Sequence, residues 1–103
     1  MLRFFLTGLG CAVLVSVAVA ASPEDWQQCS EGRGDTDARH AACTRILNDK
    51  AVVGADRARA HFVRGAIQVV KGNPQGALPD LDRAIEFKPD DATFHLWRGR
   101  AQG

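Results

Sequence analysis

Two stretches of the chain echo each other at one fixed distance. HFVRGAIQ at 61–68 and HLWRGRAQ at 95–102 share His, Arg, Gly and Gln at matching places, 34 residues apart. The same offset pairs Asp56 with Asp90 and Ala58 with Ala92. A period of this length is the signature of stacked supersecondary units. Each unit buries its apolar face only by packing on its neighbour. This constrains the chain more than its composition does, because the fold must place 61–68 and 95–102 in equivalent positions.

The segments between punctuation residues read as helices. Ser22 suits a helix cap, Pro23 the first turn, and Glu24 and Asp25 the positive helix end. That helix is expected to stop before EGRGD at 31–35, where Gly32 and Gly34 break the pattern. A second helix is expected over 36–48, with Ala38, Ala42 and Ile46 on one stripe and Cys43 and Leu47 beside it. A third is expected over 55–71 with two apolar stripes, Ala58/Phe62/Gly65/Val69 and Val63/Ile67/Val70, so it should be packed on two sides. KGNPQGA at 71–77 is a helix-to-helix turn: Gly72 ends one helix, Asn73 caps the next and Pro74 opens it. The fourth helix carries Ala77, Leu81, Ala84 and Ile85 to about Phe87, with Pro79 inside it removing one backbone bond. A last helix starts near Asp91 and carries Phe94, Leu96 and Trp97. No stretch alternates with a period of two. The fold class is therefore all-α, and the short connections predict antiparallel helical hairpins.

From this point the chain resembles the tetratricopeptide repeat family. The spacing of that family's motif is kept by His61, Arg64-Gly65, Gln68, Ala77, Leu81, Ala84 and Pro89. The chain departs from it at His61, Arg64 and Gln68, where the motif prefers Trp, Leu and Tyr. The small residues Gly65, Ala77 and Ala84 permit close helix approach, and Pro89 ends the unit. The resemblance implies a short α-solenoid over 22–103. It would comprise a degenerate hairpin at 22–50, one full repeat at 56–89 and a half repeat or closing helix at 90–103. Gly99 is the repeat equivalent of Gly65. The lone last helix either covers the apolar side of the fourth or leaves Leu96 and Trp97 for a further helix to cover.

Residues 1–21 read as a signal peptide: one early Arg3, an apolar run, then Ala18-Val19-Ala20 as an A-x-A cleavage signature. Cleavage after Ala20 or Ala21 would place the protein in a bacterial periplasm or outside the cell. The alternative is an uncleaved inner-membrane anchor, since the run from Phe4 to Ala21 is at the short edge for a span. Export leaves two cysteines, Cys29 and Cys43, and an even count in an oxidising compartment favours a disulfide. With a formal net charge of +1, the chain has no field that would draw in nucleic acid.

Catalytic chemistry finds little support. Cys29, His40 and Cys43 could supply three zinc ligands, but a fourth is not evident and the disulfide takes both sulfurs. His61 and His95, with Arg64 and Arg98, are expected to be structural, the arginine stems packed and their heads solvated or paired with nearby carboxylates. Asp80 and Asp82, two apart on a helix, should point different ways rather than form an acid/base pair. No phosphate loop, nucleophile elbow or metalloprotease motif occurs, and no cofactor or metal is expected. The expectation is a non-enzyme that binds a protein or peptide. The resemblance places the groove on the first helix of each pair, lined by Arg59, Phe62, Ala66, Val69, Thr93, Leu96 and Arg100. The alternative is a membrane-tethered or self-associating module using Phe94, Leu96 and Trp97 of the last helix.

Overall fold

The computed structural model describes residues 20–103. These form five helices: α1 (Pro23–Ser30), α2 (Thr36–Asn48), α3 (Gly54–Val70), α4 (Pro74–Phe87) and α5 (Ala92–Gln102). There are no strands among the described residues. The expected leader at 1–21 lies, but for its last two residues, outside them.

Helix boundaries follow local chemistry. Ser22 and Asp25 form a reciprocal capping box: Asp25 N–H donates to Ser22 Oγ at 3.1 Å and Ser22 N–H to Asp25 Oδ2 at 3.2 Å. Asp35 caps α2 through Ala38 N–H at 2.8 Å, and Asp91 caps α5 through Thr93 and Phe94. Asn73 caps α4 with Pro74 in its first turn. Gly72 takes φ +87°, a left-handed value that a side chain would disfavour, and so lets the chain reverse between α3 and α4. Pro79 is accommodated within α4 at an exposed position.

Each helix packs on the next, and the odd-numbered helices also touch in succession, α1 on α3 and α3 on α5. Two apolar clusters result. The first gathers Cys29, Ala42, Cys43, Ile46, Leu47, Ala60, Val63 and Ile67 from α1, α2 and α3. The second gathers Ala77, Leu81 and Ala101 from α4 and α5, with Val69, Leu78 and Trp97 against it. Phe62 packs against both. The two expected stripes of α3 thus face two cores, except that Val70 is 70% exposed. It stands at the helix end, beyond the reach of the first cluster.

The cysteines form a disulfide between α1 and α2, with a Cα–Cα distance of 4.9 Å and both residues fully buried. Beside it Arg45 donates Nε to Asp25 Oδ1 at 2.8 Å and Nη2 to Gln28 Oε1 at 3.2 Å. Burial alone would raise the Asp25 carboxyl. The bond from Arg45, the Ser22 N–H and the Arg45 charge outweigh it and hold that carboxyl below the usual range.

Between α3 and α4 the helices come close because Gly65 has no side chain. A Cβ there would sit 2.8 Å from Leu81 Cγ and 3.3 Å from the Ala77 carbonyl oxygen. Leu81 is fully buried and cannot swing away. Gly65→Ala should therefore destabilise the protein by about 1–3 kcal/mol, in spite of alanine's higher helix propensity. Urea unfolding measures it, and a variant as stable as the parent would refute the close packing.

Candidate functional site

An open groove of about 390 Å³ is bounded by the α1–α2 corner, α3 and α5. Its floor is apolar: Phe62, Val63, Ala66, Ile67 and Val70 from α3, with Trp97 from α5. Ser30, Thr36, Arg39 and Arg59 form the polar side, and no carboxylate lines it. Both guanidinium groups are oriented from α1. Arg59 Nε donates to Ser30 Oγ at 2.8 Å, and Arg39 Nε to the Gln28 carbonyl at 3.3 Å. Among the described residues neither arginine pairs with an acidic side chain. A fixed positive edge beside an apolar floor matches a ligand that carries an apolar side chain next to a negative charge.

Phe62 is the centre of the aromatic wall. Its ring lies 4.9 Å from that of Phe94 and 6.4 Å, edge-on, from Trp97, distances at which aromatic pairs attract. Arg100 lies over Trp97, 4.8 Å from the ring centroid, in cation–π geometry. A second groove of about 380 Å³ shares Arg59 and Phe62 and continues past Asp56, Phe87, Asp91, Thr93 and Phe94.

The structure brings together only part of the expected groove set. Arg59, Phe62 and Ala66 line the main groove, and Thr93 lines the second. Val69 instead packs against the Ala77/Leu81 cluster, because it shares the α3 face with Gly65. Leu96 is 54% exposed and lines neither groove. Its repeat equivalent, Phe62, is covered by α5; no described helix covers Leu96. Arg100 reaches the site only through Trp97. Phe94 and Trp97 are half-buried against Phe62, whereas Leu96 is exposed.

Of the packing residues, Ala77, Leu81 and Ala84 are fully buried, and Gly65 admits Leu81 as expected. Pro89 is exposed in the α4–α5 turn, where its carbonyl meets His95 Nε2 at 2.6 Å. Gly99 departs from expectation: a Cβ there would meet nothing within 4 Å.

Sequence reasoning missed Arg39 and Ser30 as groove residues, and with them Thr36, Val63, Ile67, Val70 and Trp97. The first two are placed by the α1–α2 corner, whose position depends on tertiary contacts. The expectations for the paired ions hold. Arg64 and His61 bind Asp80, Arg98 binds Asp82, and the two aspartates face opposite neighbours. The two sulfurs of Cys29 and Cys43 are bonded to each other, so neither is a thiolate for metal or nucleophile chemistry. No described helix is long and apolar enough to cross a membrane.

Compared with family models, curated proteins and solved structures, the chain matches none.

Proposed function

We propose that the protein is a non-catalytic binding module that holds a short segment of another protein in the α1–α3–α5 groove. The observation that carries this reading is the pair Arg39 and Arg59, each oriented by α1 and neither neutralised by a described acid, beside the floor of Phe62, Ala66, Val70 and Trp97. The ligand would be a peptide with one large apolar residue within a few positions of Asp or Glu. The tetratricopeptide resemblance supports it through the period of 34 and the succession of odd-numbered helices along one side. A short α-solenoid of this family is our reading of the architecture. Export to an oxidising compartment, periplasmic or extracellular, is our reading of location. The segment at 1–21 and the Cys29–Cys43 bridge support it.

Display of random peptides against the full chain tests the proposal. Enriched sequences should carry an apolar anchor next to an acidic residue. Val70→Glu places a carboxylate on an exposed groove position and should lower recovery at least tenfold, about 1.4 kcal/mol. Phe62 is unsuitable for this test because it packs against both clusters. Enrichment without such a consensus, or equal recovery by Val70→Glu, would count against the groove.

A further inference from the structure

The last residue of the expected leader, Ala21, is held by the fold. Its N–H donates to Asp49 Oδ2 at 2.9 Å, across 28 residues of sequence. Ala21 also packs against the first apolar cluster, so its backbone nitrogen is fixed beside that carboxylate. Asp49 caps the C-terminal end of α2, and its Oδ1 accepts from Ala51 N–H at 3.0 Å. The two N–H groups hold its carboxyl below the usual range. A carboxylate at the negative end of a helix is badly placed unless a cation offsets it. Among the described residues no lysine or arginine side chain pairs with Asp49. Arg57 Nη1 bonds the nearby Leu47 and Val52 carbonyls and not the carboxylate.

One residue earlier the chain is open: Ala20 is exposed and belongs to no helix. Ala18-Val19-Ala20 allows a cut after Ala20 or after Ala21, and the geometry separates the two. Hydrolysis of the Ala20–Ala21 bond consumes one water. Its oxygen completes a carboxylate on Ala20, and its two protons turn the Ala21 N–H into an ammonium. That ammonium would lie where the amide lies, against Asp49 Oδ2, and the bond would become a charged pair. A cut after Ala21 would instead put the ammonium on Ser22, the N-cap of α1. There it faces the positive helix end, and the neighbouring Asp25 is already paired with Arg45. That cut would also take Ala21 away from Asp49.

We propose that Ala20–Ala21 is the processing site and that Asp49 is the receptor for the new N-terminus. The proposal rests on the export reading above and needs an endopeptidase that accepts small residues before the cut. Helix α1 is then fastened at both ends, at its start by Ala21 on Asp49 and at its end by Cys29 on Cys43. Export completes both fastenings: the oxidising compartment supplies the bridge, and the cut supplies the ammonium.

The full-length chain, expressed in a bacterium that exports it, should yield a protein whose N-terminal sequence is Ala21-Ser22-Pro23. A protein beginning at Ser22 overturns the proposal and leaves export standing. One that keeps Met1 overturns export, and the cut with it. On the mature protein, isotope-labelled dimethylation keeps the amines charged and lets NMR titrate the α-amine apart from Lys50, Lys71 and Lys88. Its midpoint should lie about one pH unit higher in the parent than in Asp49→Asn, since an opposite charge in contact favours the ammonium. Asn keeps an oxygen for Ala51 N–H, so the variant should fold. Should it unfold, the parent alone decides: its α-amine should titrate higher in the native state than in urea. Equal midpoints, in whichever comparison decides, overturn the pairing.

Discussion

Replacing Asp80 by alanine should destabilise the fold by about 3 kcal/mol, a large part of the 5–15 kcal/mol typical of small domains. Asp80 is 6% exposed and accepts a two-pronged bond from Arg64 as well as the contact from His61. Arg64 also bonds Thr44, so one carboxylate on α4 ties α3 and, through Arg64, α2. Its removal leaves a guanidinium that is only 23% exposed without a counter-charge, and this uncompensated charge is the main source of the cost. The partial exposure of Arg64 puts the effect at the lower end of the range for buried pairs. Asp80→Asn keeps the shape but turns an amide N–H₂ or a single oxygen toward the Arg64 donors, so its cost should fall between those of Asp80→Ala and the parent. Adding Arg64→Met to Asp80→Ala should recover part of the loss, since the orphaned charge is then gone. Urea unfolding of five proteins measures this: the parent, Asp80→Ala, Asp80→Asn, Arg64→Met and the double variant. A loss below about 1 kcal/mol for Asp80→Ala, or full additivity with Arg64→Met, would mean that the pair is not what joins α3 to α4.

The same pair illustrates how far the sequence could be read. The cap residues Ser22, Asn73 and Asp91 and the apolar stripes over 36–48 and 55–71 place all five helices. They do so because helix ends are set by residues adjacent in sequence. That Arg64 and Arg98 are structural also follows from the period, since equivalent positions recur for packing. Which aspartate each would meet does not follow. Helical spacing separates Asp80 from Asp82 but does not say which neighbour lies on which side. The groove was legible only in its α3 part. Arg59, Phe62 and Ala66 lie one turn apart on one helix, so periodicity alone groups them. Arg39 and Ser30 join them through a corner held by the disulfide and by the Asp25–Arg45 contact, 20 residues apart in sequence. The sequence equivalence that pairs Gly65 with Gly99 and Phe62 with Leu96 fails as a statement about burial. Gly65 and Phe62 have a following helix against them, and Gly99 and Leu96 have none among the described residues.

Reduction of Cys29–Cys43 should lower the melting temperature by roughly 12–24 °C. A cross-link over a loop of this size contributes about 3 kcal/mol, and each kcal/mol moves the midpoint of a domain this small by about 4–8 °C. The local architecture makes the bridge more than a general brake on unfolding. Helix α1 has eight residues, too few to persist by its own hydrogen bonds, and it is held by the bridge, the Arg45–Asp25 pair and apolar contact of Trp26 with the first cluster. The bridge sulfurs are themselves part of that cluster, with both cysteines fully buried. Reduction should therefore release α1 first, below the global transition. Amide hydrogen exchange should quicken over Pro23–Ser30 while α3 and α4 stay protected. Because Ser30 and Gln28 orient Arg59 and Arg39, loosening α1 should also free the positive edge of the groove, and binding of an acidic, apolar-anchored peptide should weaken together with the exchange protection. A Cys29→Ala/Cys43→Ala protein should reproduce all three changes without reductant. An unchanged melting temperature in reductant, with accelerated exchange spread evenly over all five helices in place of a local loss at α1, would show that the core alone holds the corner and that the bridge is incidental to it.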